Sequence, residues 1–185
     1  FLHARYRLES DASWFARFEA HLARQVITDD RRTQDFGSPV ITDEASDSTQ
    51  DGLTLQYNSP WGTGGNELGW GFEAYRDDVS SRRLRRDRGT GLETPALGRY
   101  PDGSSMDSLA AYLSNRGHFG RLTLDAGLRY STFDLRLPEA GEIDTVRLEP
   151  DDLTGDAHLA WELGDGLRLL ANVGRGFRPP NIFDL

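Results

Sequence analysis

The chain contains no cysteine and no lysine. Without cysteine there is no disulfide framework, no thiolate metal site and no cysteine nucleophile. All 21 basic residues are therefore arginine, and 30 Asp and Glu outweigh them for a net charge of −9. An acidic chain lacks the basic footprint of a general nucleic-acid binder, so no nucleic-acid partner is expected. Long apolar runs are missing as well. The longest is Leu109-Ala110-Ala111-Tyr112-Leu113, far short of the roughly 20 residues of a transmembrane helix. Phe1-Leu2-His3-Ala4-Arg5 is no signal peptide and reads as the middle of a strand, which suggests a piece of something longer. What remains, 185 residues of which 37% are hydrophobic and 28% charged, suits about one folded domain rather than disorder.

What the chain does have is a period of two, punctuated by Gly, Asp and Pro. Leu2, Ala4, Tyr6 and Leu8 alternate with His3, Arg5 and Arg7. The same rhythm returns in Trp14–Leu22, Leu53–Tyr57, Leu68–Ala74, more weakly in Ser108–Ser114, and again in Leu122–Tyr130, Leu153–Leu163 and Leu167–Val173, giving eight candidate strands. The Phe15-Phe18-Leu22 and Leu109-Tyr112-Leu113 spacings also fit one face of a helix.

The connections alternate in length. Short links are expected near 9–13, 62–66, 115–120 and 164–166, and long loops near 24–51, 78–105 and 138–151. Five prolines (Pro39, Pro95, Pro101, Pro138, Pro150) fall in the long links, and none of the eight interrupts a strand centre. Up-and-down hairpins with short turns at one end and long loops at the other describe an antiparallel transmembrane β-barrel, whose strands need roughly 9–11 tilted residues. One face of each strand carries Leu, Ala, Trp, Phe and Tyr, as toward lipid; the other carries Arg, Glu, Asp, His, Asn, Thr and Gly, as toward a wet lumen. Trp14, Trp61, Trp70 and Trp161 sit at or near strand ends, where aromatic belts occur. Period alone leaves open a soluble antiparallel sheet, for instance a carbohydrate-binding domain, and a small closed eight-stranded membrane barrel of structural or adhesive role.

The ending GRGFRPPNIFDL (Gly174–Leu185) resembles the strand-and-loop box of TonB-dependent outer-membrane receptors, with Pro180 where that box commonly has Ala. RLTLDAGLRYS (Arg121–Ser131) is similar to another strand of that family. LGWGFEAYRDDVSSR (Leu68–Arg82) and RYPDGSS (Arg99–Ser105) resemble barrels of its haem- and siderophore-type branch, so the likeness runs from about Leu53 onward. It implies an all-β fold in the outer membrane of a Gram-negative bacterium, with residues 1–185 as an internal barrel segment. Transporters of the class have 22 strands around a plug, so eight strands are about a third of one. The plug and the TonB-contacting segment would lie elsewhere in the protein. Two open edges are not tolerated in a bilayer, so the segment is not expected to transport anything alone. The implied function is active uptake of an iron chelate, haem or similar large nutrient, with outer-membrane lipid and the TonB complex as partners.

Uptake needs no covalent chemistry, so the candidates are ligand contacts. The run Arg82-Arg83-Leu84-Arg85-Arg86-Asp87-Arg88 falls in a predicted outer loop. Arg82, Arg83, Arg85 and Arg86 there suit the carboxylates of a ferric chelate or haem, or lipopolysaccharide phosphates. A solvated loop balanced by Asp77 and Asp78 is the plainer account. Tyr100, in the next long loop, and Arg178, at the rim, are further candidates. In the family motif Gly176, Phe177, Arg178, Pro179, Pro180 and Asn181 read as architectural, the two prolines ending the last strand. His3, His21 and His158 fall on the polar parity and His118 in a predicted short turn, with no two at ligand spacing along the chain. No metal site and no cofactor are expected. The doublets Asp29-Asp30, Asp77-Asp78 and Asp151-Asp152 point to opposite faces of a strand and form no catalytic pair, and the Gly-Xaa-Gly spacings lack a helix, so no enzyme activity is expected.

Overall fold

The computed structural model describes residues 1–12, 14–139, 144–164 and 166–179, and all its regular structure is β. Ten strands follow in order: β1 (Leu2–Ala12), β2 (Phe15–Gln34), β3 (Val40–Trp61), β4 (Asn66–Asp87), β5 (Glu93–Ala96), β6 (Ser104–Phe119), β7 (Leu122–Leu137), β8 (Val146–Leu148), β9 (Asp151–Gly164) and β10 (Leu167–Arg175). Eight of them form an unbroken antiparallel path, β1-β2-β3-β4-β6-β7-β9-β10. The short β5 and β8 pair the upper parts of β4 and β7. The eight periodic segments are thus the eight strands of the path.

Register settles the faces. Ala4, Leu22, Leu53, Ala74 and Leu109 form one cross-strand row, and Ala20, Leu55, Phe72, Ala111 and Tyr130 another, on the same face. None of the described residues covers this face: Leu22 is 58% and Leu128 57% exposed. At the short-turn end it is bounded by aromatics. Trp14, Phe15, Tyr57 and Trp70 follow one another with ring centroids 5.7, 5.2 and 5.0 Å apart, and Trp61 lies 6.3 Å from Phe119. At the other end it stops at the row Arg24, Asp51, Arg76 and Asp107. Between these limits lies a band the height of a bilayer-spanning strand.

Three expectations need correction. The stretches 24–51 and 78–105 are not long loops. β2 and β3 continue in register to Gln34 and Val40, leaving only 35–39 as a turn, and β4 runs to Asp87. The run from Arg82 to Asp87 is therefore strand, and only Arg88 lies in a turn. These extensions escape a periodicity search because both faces carry polar side chains, paired across strands: Arg24 with Asp51 at 2.7 Å, Arg32 with Asp43 at 2.5 Å, Thr28 with Asp47 at 2.6 Å. Secondly, His118 belongs to β6, and the turn is only Gly120-Arg121. Thirdly, the last strand ends at Arg175, before either proline, and Phe177 sits 6.2 Å from Phe133. Pro180 and Asn181 of the family motif lie outside the described residues.

The segments with helical spacing, around Phe15–Leu22 and Leu109–Leu113, are strands, since each is hydrogen-bonded on both sides. Among the described residues β1 does not pair with β10, so the sheet is open and the closed eight-stranded barrel is not formed. Pro95 lies in β5, a four-residue edge strand, where a missing N–H is harmless. The turn Gly62-Thr63-Gly64-Gly65 needs its glycines: φ is 60°, 92° and 79° at the three.

Candidate functional site

The polar face carries two clusters. The lower one sits level with the apolar band. Glu19 is 8% exposed and accepts two hydrogen bonds from Arg5, at 3.0 and 2.9 Å. Nε of both Arg7 and Arg17 lies 3.6 Å from the same carboxylate, and His21 Nε2 lies 3.3 Å from it. Across the sheet Arg129 donates to Glu73 at 2.6 Å. Tyr112 lies against Gly71, where a Cβ would strike its ring and stand 2.5 Å from the Leu55 carbonyl. Arg5, His21 and Arg129 each meet a carboxylate in this network, while the buried Arg17 Nε is left without a hydrogen-bond partner.

The upper cluster sits where the strands have left the apolar band. Partners across the ladder share a face, so Asp29, Arg31, Glu44 and Arg83 lie on the polar side. Asp29 pairs with Arg31 at 2.5 Å, and that guanidinium holds its carboxyl below the usual range. The loop 97–103 folds over this cluster. Asp102 accepts from the Ser81 N–H at 2.9 Å, the Arg99 N–H donates to Glu44 at 2.7 Å, and Arg83 donates to the Leu97 carbonyl at 3.5 Å. Asp102 thereby replaces a strand partner at Ser81, just past the last β4–β6 pair at Val79 and before β5 begins at Arg83. The Arg99 guanidinium lies 5.7 Å from the Tyr100 ring centre, within cation–π range. Two buried donors of this region, Arg83 Nε and Ser81 Oγ, have no hydrogen-bond partner. Just below, burial pushes the Asp77 carboxyl up, and its Oδ1 is unpaired.

The arginine run is split by the pleat. Arg83 and Arg85 face the polar side, beside Glu44 and Thr42 respectively. Arg82 and Arg86 face the other, where Arg86 pairs with Glu93 at 2.6 Å. Four arginines close in sequence are therefore two pairs on opposite surfaces. Tyr100 joins Arg83 through the folded loop. Arg178 is exposed, beyond the end of β10. Gly176, Phe177 and Pro179 line the end of an open groove of about 860 Å³ that also touches Tyr112, Arg129 and Phe133.

Several polar-face residues were invisible to spacing along the chain. Glu19 with its three arginines, and Asp29, Arg31, Glu44 and Arg99, meet only through register and loop folding. His3 and His21, 18 positions apart, come together with His3 Nε2 and His21 Nδ1 at 3.3 Å. The tight β1–β2 turn was the one signal that could have brought them together. Among the described residues no group of three or more His, Cys, Asp and Glu is placed to hold a metal.

Comparison with known proteins gives the following. The family described as "TonB dependent receptor-like, beta-barrel" matches residues 1–185. No curated protein matches by sequence. Among solved structures, "Copper transporter OprC" superposes with a TM-score of 0.83 at 19% identity, covering 99% of this chain and 30% of that one. The ferric citrate transporter FecA, in its unliganded form, gives 0.71 at 17% identity, covering 92% and 26%. At such identities the likeness is one of fold. The chain spans under a third of either neighbour.

Proposed function

Because the chain belongs to the TonB-dependent receptor β-barrel family, we propose that residues 1–185 form an internal part of the barrel wall of an outer-membrane receptor that imports an iron chelate, haem or similar large nutrient. On this reading the apolar face meets lipid, the polar face lines the lumen, and the tall hairpins stand outside the cell. TonB engages the protein through its plug region and supplies the energy, and the barrel itself performs no covalent chemistry.

The observation that carries the reading is the upper polar-face cluster. It stands above the lipid band, on the lumen side, with unpaired donors at Arg83 and Ser81. Arg83, Arg85 and Tyr100 are assigned to ligand, with the guanidinium forks suited to carboxylates of a chelate or propionates of haem. Arg82 and Arg86, on the lipid side above the band, are assigned to lipopolysaccharide phosphates, and Arg178 to the rim. The names of the two structural neighbours point to copper and to ferric citrate, so the cargo needs a direct test.

Iron-limited cells lacking the receptor gene are to be supplied with labelled ferric citrate, ferric hydroxamate, ferric catecholate, haem or copper. The expected result is that uptake of one iron compound is lost, returns with the wild-type gene, collapses with a protonophore, and falls severalfold in Arg83→Ala. Uptake of copper alone, or of none of these, overturns the reading.

A further inference from the structure

We propose that His3 and His21 form a two-histidine binding site for a first-row divalent cation such as Zn(II) or Cu(II) on the polar face of the β1–β2 hairpin. The site is a property of one hairpin, goes beyond the uptake reading and does not depend on it.

The pairing follows from register. His3 stands opposite Ala23 and Arg5 opposite His21, so the two histidines are diagonal neighbours on one face. Their facing nitrogens are 3.3 Å apart and their ring centres 5.5 Å apart, so the rings meet edge to edge, nitrogen toward nitrogen. A metal–imidazole bond is about 2.0–2.1 Å. Two nitrogens at the observed 3.3 Å then subtend about 107° at a shared ion, close to the tetrahedral angle. The ion would sit about 1.2 Å off the line joining them. Reaching it requires each ring to swing on χ2, a torsion with broad minima.

A carboxylate that orients one of the rings is already in place. Glu19 lies 3.3 Å from His21 Nε2. A carboxylate only accepts, so His21 donates from Nε2 and its Nδ1 lone pair is left facing His3. This carboxylate–histidine arrangement fixes tautomer and ring orientation in known metal sites. Arg5 holds the carboxylate from the other side, at 2.9 and 3.0 Å. Imidazole pairs suit Zn, Cu and Ni rather than Mg or Ca. The chain supplies two ligands, so the remaining positions stay open to water or other donors, as in an exchangeable site.

The test uses the whole receptor, purified without a histidine tag, titrated with Zn(II) alone and with Cu(II) alone. Cu(II) electron spin resonance counts the bound imidazole nitrogens. The wild type is expected to bind one ion through two of them. His3→Asn and His21→Asn should each remove one nitrogen and weaken Zn(II) at least tenfold. Glu19→Gln, a positioning variant, should weaken binding about tenfold and reduce the second nitrogen signal while the heat-dependent gel mobility of the folded barrel is unchanged. Two nitrogens persisting in either histidine variant, or no ion bound by folded wild type, overturns the proposal. Uptake in the same strains is scored separately, so failure of one reading leaves the other standing.

Discussion

The lower and upper halves of β2, β3 and β4 are the same strands under two different solvents. Below the row Arg24, Asp51, Arg76 and Asp107, one face is a continuous apolar surface and the other a polar network. Above it, the same ladder continues for eleven residues of β3, from Val40 to Gln50, roughly 35 Å of extended chain. There both faces are polar, held by Arg–Asp pairs and capped by a loop. Backbone hydrogen bonding is common to both halves. What differs is where the side chains find their partners: an uncovered apolar face and a packed polar network below, facing charges on both faces above.

The largest effect should come from placing a charge on the lower apolar face. Leu55→Arg, mid-band between Ala20 and Phe72, is expected to cost about 2–4 kcal/mol in lipid. Thr49→Arg, on the same face of the same strand but above the band, should change stability by less than about 0.5 kcal/mol. Denaturant unfolding of the whole receptor in phospholipid vesicles gives both values, and equal costs would erase the boundary drawn at Asp51.

Packing gives the next effect. Gly71→Val would put a side chain against Tyr112 and the Leu55 carbonyl, at a cost of about 1–3 kcal/mol from overpacking. Gly89→Val, in the turn after β4 with only the Asp87 side chain nearby, should be almost silent in the same assay.

The smallest effect is one of pH, and it has opposite signs at two upper-level carboxyls. Asp134, held by Arg147 and then Arg136, has its carboxyl well below the usual range. A carboxyl lowered in the folded state stabilises above its unfolded range, and that contribution is lost as pH falls through the folded value. Asp77 is raised by burial, so its ionisation costs stability as pH rises out of the carboxylate range, and acid relieves that cost. Hydrogen exchange at the upper amides should show the β7–β8 pairing loosening in wild type as pH falls from 6 through the ordinary carboxylate range toward the lowered Asp134 value. In Asp134→Asn that change should be absent. In Asp77→Asn the amides near Gln50 should be better protected at pH 6. An identical response in all three chains would show that neither carboxyl is coupled to the fold.

Period two along the sequence, the glycine turns and the belt of tryptophans were enough to determine eight antiparallel strands, their faces and their order, because a strand at a lipid boundary must alternate. The terminal motif was enough to indicate the family. Periodicity ended where the apolar face ended, so the upper strands read as loops. Their charges were visible as residues, but the pairing that makes them a ladder was not. Only the tertiary structure divided Arg82 and Arg86 from Arg83 and Arg85, folded Tyr100 over the same face as Glu44, ended β10 ahead of its prolines, and set His3 beside His21. Those outcomes depend on register between strands and on loop closure, which couple residues far apart in the chain and leave no local pattern to read.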